Sequence, residues 1–288
     1  MSAARRATNW VFLGDSLTEG VGSQRSTYVS ELANRLRAAS TARAVHDFRL
    51  RNVDPAGFNK FIRVNVAGYL RHDERESLPA LWIWNLASEG RTIDSDRQWL
   101  PLLENLQPER VFIHRGSLES ILRPACFHSG RWPFWVPRSW RGVASMDPRC
   151  YFSATPLRRF KQSFVDAAKQ RARLGLLKTG TPQPLLGHDA IVSHYDSLLA
   201  SLRALPAAVT VLGLLPTDER TFPGSAAHFL SLNTRLQSLA EKHGADFLDW
   251  RTQFDASLFY RDGFHPNPSG SARLADVLYA RLKEQGAA

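Results

Sequence analysis

The feature that most restricts how this chain can fold is an alternation along its length. Short apolar runs at Trp10–Leu13, Leu81–Leu86, Arg110–His114, Val209–Leu215 and Asp246–Trp250 are separated by stretches whose apolar residues recur at helical spacing. Such runs, bounded by turn residues, read as buried strands, and the spacing predicts helices over Tyr28–Ala38, Asp94–Leu106, Ala190–Leu205, Ala226–His243 and Gly270–Glu284. Strands without a polar alternation belong to parallel sheets covered on both faces, so the fold class is α/β. In open sheets of this kind ligands bind beyond the carboxyl ends of the strands.

Two stretches break the alternation. Residues 40–80 are charged and poorly periodic, with an extra hairpin expected around Phe61–Val66. Residues 123–187 form a larger insertion after the third apolar run, rich in Trp, Arg and Pro. No linker divides the chain, and 1–288 reads as a single domain.

Hydrophobic residues make up 43% of the 288 and charged residues 22%, as in soluble folded proteins, and no apolar stretch is long enough to cross a bilayer. The N-terminus lacks the apolar segment and cleavage site of a signal peptide, which points to a cytoplasmic protein. Cys126 and Cys150 lie too far apart for a C-x-x-C site and read as free thiols. No cluster of residues has metal-ligand spacing, so neither metal nor cofactor is expected.

The first apolar run stops at Gly14-Asp15-Ser16-Leu17, with Gly20 and Gly22 beyond it. A serine at that strand end would project into the ligand crevice, although alone it reads more readily as a cap of the next helix. Near the other end, Asp262-Gly263-Phe264-His265-Pro266-Asn267 forms a turn in which Pro266 and Pro268 keep His265 out of the last helix. A carboxylate three residues before a histidine can hold the tautomer whose second nitrogen accepts a serine proton.

With both segments in place, the chain resembles the GDSL/SGNH hydrolases, serine esterases and acyltransferases. Val11–Gly20 is similar to their first block and Asp262–Ser269 to their last. By average residue usage, the letters G-D-S-L arise in a chain this long on the order of once in a hundred. The resemblance implies a flavodoxin-like three-layer α/β/α fold with a mainly five-stranded parallel sheet. It makes Ser16 the nucleophile, His265 its base and Asp262 the orienting acid.

Asn85–Gly90 resembles the second block, implying that Gly90 N–H joins Ser16 N–H in the oxyanion hole. The third block, usually G-x-N-D, is Gly116-Ser117-Leu118-Glu119 here, and Leu118 has no donor to replace the asparagine. Arg115, Ser117 and His114 are the neighbouring candidates for that donor. Asp15 is expected to support the nucleophile loop, and Asp15 and Gly116 to border the substrate.

The insertion carries 12 lysines and arginines against 2 acidic residues, a local net of +10 that equals the formal charge of the whole chain. Nine aromatics between Phe127 and Phe164 are interleaved with these cations. Long insertions at such a place are lids or binding loops, or else separately packed subdomains. Trp132, Trp135, Arg138 and Arg141 are its expected substrate contacts. The charge suits an anionic acyl ester or thioester partner, such as a carrier protein, an acidic glycan or a lipid, with peripheral membrane contact admitted. No nucleic-acid-binding motif accompanies it. The expected activity is ester hydrolysis, including carbohydrate or lipid deacylation. The alternatives are acyl transfer to an alcohol or amine, and a catalytically weakened binding protein.

Overall fold

A computed structural model describes residues 8–21, 26–40, 43–50, 57, 79–142, 146–147 and 155–288. Gly22, Cys150 and the hairpin expected around Phe61–Val66 lie outside the described residues.

Strands β1 (Thr8–Gly14), β2 (Ala44–Arg49), β3 (Ala80–Asn85), β4 (Arg110–His114), β5 (Ala208–Leu212) and β6 (Asp246–Leu248) form one sheet in the order β2-β3-β1-β4-β5-β6. Every neighbouring pair is parallel. Helices α1 (Ser16–Glu19) and α2 (Tyr28–Ala39) follow β1, and a 3-10 turn over Ile93–Trp99 leads into α3 (Leu100–Leu106). After β4 come α4 (Ser117–Ser120), α5 (Cys126–Ser129), α6 (Pro156–Leu177) and α7 (His188–Leu202); α8 (Ser225–His243) precedes β6, and α9 (Pro268–Glu284) is last. The fold is α/β.

Among the described residues the sheet has six strands, which corrects the five-stranded expectation. The added strand, β2, comes from the stretch that had no periodic signal, because it is an edge strand. Only Val45 is buried, while His46, Asp47 and Arg49 are half-exposed. Its Phe48 ring stacks on Trp84 at 4.7 Å, and Arg37 caps the edge through Val45 O at 2.9 Å and an ion pair with Asp47. By contrast β3 is buried along its whole length and β1 from Trp10 onward, giving the apolar runs that made them legible.

The order of the strands sets the position of the crevice. The chain leaves β1 for β2 and β3 on one side, then crosses to β4 on the other. The carboxyl ends of β1 and β4 meet at the register pair Gly14 and His114, where the connections diverge.

The insertion is more ordered than a loop. It contains α6, 22 residues long, and a small core of its own in which Cys126, Val136, Met146 and Leu176 pack with Phe127, Trp132 and Trp140. Arg123 and Arg173 both reach Asp147, at 2.7 and 3.3 Å, and the Arg173 guanidinium lies 4.3 Å from the Phe222 ring centroid on the main body.

Candidate active site

Gly14 ends β1 with the chain turning so sharply that an added Cβ would lie 2.2 Å from Thr18 Oγ1. Asp15 then caps α1, accepting from Leu17 N at 2.9 Å, and Ser16 becomes the first helical residue. An N–H at that position has no acceptor within the helix and points outward from its positive end.

The loop carrying His265 is held from several sides. Tyr260 N donates to His265 O at 2.8 Å, and Asn267 caps α9 by accepting from Gly270 N at 2.9 Å. Gly263 has φ +66° and lies so near Asp218 that an added Cβ would sit 2.4 Å from that side chain. Asp262 Oδ1 accepts from the N–H groups of Phe264 and His265, both at 3.0 Å, which turns Oδ2 toward the imidazole.

Residues 249 positions apart are thereby joined. His265 Nδ1 stands 2.7 Å from Asp262 Oδ2, and His265 Nε2 stands 2.9 Å from Ser16 Oγ. Because the carboxylate oxygen accepts, Nδ1 carries the proton, and Nε2 is left to accept from the Ser16 hydroxyl. Burial opposes the charged imidazole. The hydrogen bond and charge of Asp262, with the charges of Asp15 and Glu89, outweigh it and hold His265 above its ordinary value. Its side chain keeps 16% exposure, so the pair opens to solvent at one edge.

Gly90 lies on the connection after β3 with φ +71°, and an added Cβ there meets nothing within 4 Å. Buried ionisable side chains hold the backbone around it. Glu89 N donates to Glu19 Oε2 at 2.5 Å, Arg115 Nη1 donates to Arg91 O at 2.8 Å, and Ile93 N donates to Glu119 Oε1 at 2.8 Å. Further back, Asn85 Nδ2 donates to Thr18 O at 2.8 Å and Ser88 N donates to Gly14 O at 3.1 Å, joining this loop to α1.

Several expected site residues take other places. Arg115 is fully buried, with Nε and Nη2 on the two oxygens of Asp96 at 2.8 and 2.5 Å, so it cannot substitute for the absent asparagine. Ser117 Oγ is buried and makes no hydrogen bond among the described residues. His114 lies beneath the crevice, Nδ1 3.2 Å from Thr18 Oγ1; burial and then the Arg115 charge push it down to about 3, so it stays neutral. Asp15 is wholly enclosed and cannot touch substrate. Its carboxyl is raised by burial, against the pull of Arg115. The missing side chain of Gly116 would face Leu214, Ile191 and Leu232 in the core, which removes it from the substrate border. Trp132 packs inside the insertion, and Arg141 donates through Nε and Nη2 to Val136 O. Trp135 and Arg138 are exposed.

Of the buried groups around Gly90, Arg115 was expected in another role, and no role was expected for Glu19 or Glu119. Glu119 occupies the last position of the third block, which is the only signal that singles it out. Burial and then the charge of Asp15 push it up to about 7, against its bond from Ile93 N and the charge of Arg115.

The chain matches no known protein-family profile and no curated protein sequence. Its fold does have solved counterparts. TesA superposes with a TM-score of 0.52 at 13% identity, covering 96% of this chain and 99% of that one. A mutant of Axe2, described as an acetyl-xylooligosaccharide esterase from Geobacillus stearothermophilus, gives 0.53 at 13% identity over 98% and 96% of the two chains. A catalytic mutant of the same esterase gives 0.53 at 12% identity with the same coverage. At these identities the likeness is one of fold.

Proposed function

We propose that this protein is an ester hydrolase working through an acyl-Ser16 intermediate. The observation that carries the reading is the continuous hydrogen-bonded path from Ser16 Oγ through His265 to Asp262 at the carboxyl end of β1. Esterases among the structures that share the fold support it.

Ser16 Oγ attacks the acyl carbon as its proton passes to His265 Nε2, and Asp262 stabilises the resulting imidazolium. The Ser16 and Gly90 N–H groups are the donors assigned to the oxyanion. His265 then gives its proton to the departing alkoxide, and water, deprotonated by the same nitrogen, cleaves the acyl-enzyme. Acetylated xylan and xylooligosaccharides are a first substrate class to test, since the Axe2 structures are described as an acetyl-xylooligosaccharide esterase and an acetylxylan esterase.

Covalent labelling tests the nucleophile directly. A fluorophosphonate probe is expected to add one label to the native protein, at Ser16, and none to Ser16→Ala, with loss of short-chain ester hydrolysis in parallel. Labelling at another residue, or equal turnover by Ser16→Ala, refutes the assignment.

A further inference from the structure

Helix α6 is amphipathic in the reverse sense. At 100° per residue, Asp166, Lys169 and Arg173 fall on one side of it, and all three are buried. The charges of this side are engaged: Asp166 pairs with Arg261 at 3.2 Å, and Arg173 with Asp147 and the Phe222 ring. Leu157, Phe160 and Phe164, spaced i, i+3 and i+7, fall on the opposite side and are 78%, 76% and 74% exposed. The helix is fastened to the protein by a side that carries these three charges, with Leu176 and Leu177 at its end, and turns the Leu157, Phe160 and Phe164 stripe outward.

The surroundings of this stripe select what can cover it. Arg158, Arg159 and Lys161 are exposed in the same turns, and the only acidic residue of α6, Asp166, is buried. The same insertion also exposes Phe134, at 96%, and Trp135, with Arg131 and Arg138 close in sequence. Pairing with a second copy through this face would set cations against cations in a chain of formal charge +10. Leu and Phe side chains on a single helix flank, with Arg and Lys in the same turns, match an interfacial helix, whose apolar face enters the boundary between head groups and acyl chains while its cations meet anionic lipid.

We propose that α6 docks the protein on a bilayer surface bearing anionic head groups, through Leu157, Phe160 and Phe164 with Arg158 and Lys161. Co-sedimentation of the full chain with phosphatidylcholine vesicles, and with vesicles also containing phosphatidylglycerol, tests this. Binding is expected only to the anionic vesicles, and it weakens as salt is added. Joint substitution Leu157→Ser, Phe160→Ser and Phe164→Ser is expected to weaken it by about tenfold or more. The same variant retains the native melting temperature and native turnover of a small soluble ester. Arg158→Gln with Lys161→Gln reduces binding and its salt dependence. Undiminished binding by the apolar triple variant, or equal binding to neutral vesicles, overturns the proposal. So does a lower melting temperature of that variant without lipid, which would mean that the chain itself covers the stripe. Dimerisation abolished by the same substitutions would assign the face to a second copy, and binding to an acidic protein but not to vesicles would assign it to a protein partner; either refutes the lipid surface.

Discussion

Asp262→Asn is the change that isolates the proton-transfer chemistry, because it preserves size and shape. The single amide oxygen can keep the bonds from Phe264 N and His265 N that Asp262 Oδ1 now accepts, so the loop has no reason to move. The NH2 group then occupies the place of Oδ2, 2.7 Å from His265 Nδ1, where a donor faces a donor. The imidazole answers by moving its proton to Nε2, and that nitrogen no longer accepts from Ser16. In serine proteases the same substitution lowers turnover by about 10,000-fold, which corresponds to about 5 kcal/mol of lost transition-state stabilisation. A pH signature accompanies the loss. In the proposed mechanism activity needs neutral His265 and is expected to disappear as pH falls through its folded value, which lies above the ordinary 6.5. Once the Asp262 charge is gone, burial dominates and the midpoint of the residual activity shifts downward. Measuring kcat/KM for a p-nitrophenyl ester across pH, with thermal melts of both proteins, checks both outcomes. A variant that keeps more than about a tenth of native kcat/KM, or an unmoved pH midpoint, refutes the chain of roles.

Two further outcomes follow from the buried charges. Asp96→Asn leaves Arg115 enclosed without its anion and is expected to cost about 3 to 5 kcal/mol in urea denaturation, whereas Asp96→Leu combined with Arg115→Met recovers most of it. Glu119 binds a proton in the folded chain up to about pH 7 but in the unfolded chain only up to about 4.5, so stability falls as pH rises through that window, by about 3 kcal/mol in all; Glu119→Gln is expected to remove that part of the decline in a pH series of melts.

What the sequence disclosed and what it hid divide along lines of burial. Leu81–Leu86 and Arg110–His114 were readable because a strand covered on both faces needs apolar residues at successive positions. Ala44–Arg49 hid because an edge strand meets water, so its Val and Phe stand among His, Asp and Arg. Helix α6 hid for a different reason: its inward face carries Asp166, Lys169 and Arg173 and becomes apolar only at its end, with Leu176 and Leu177, so a search for an apolar inward stripe finds instead Leu157, Phe160 and Phe164, which face out. Ser16, Asp262 and His265 could be nominated because each lies in a short turn with a fixed relation to a strand end or helix start. Asp96 and Arg115 are 19 positions apart, and neither sits in a motif that separates a buried arginine from a solvated one.

The same buried charges also give the site its shape. Removing Glu19, Arg115 and Glu119 from water is costly, and an apolar interior would spare that cost. Yet the backbone flanking Gly90 offers two N–H groups and a carbonyl toward the protein interior, and each is met by one of these side chains. Apolar residues would leave those groups unsatisfied and the loop free to shift. With Leu118 where the resemblance expects an asparagine, the oxyanion of the proposed reaction would depend on fewer donors, and each would have to be better placed. The Glu19 carboxylate on Glu89 N precedes Gly90, and Arg115, paired with Asp96, on Arg91 O and the Glu119 carboxyl on Ile93 N follow it, so the peptide of Gly90 is held from both sides. The electrostatic cost beneath the crevice is in this way tied to the position of the N–H group that the proposed chemistry requires.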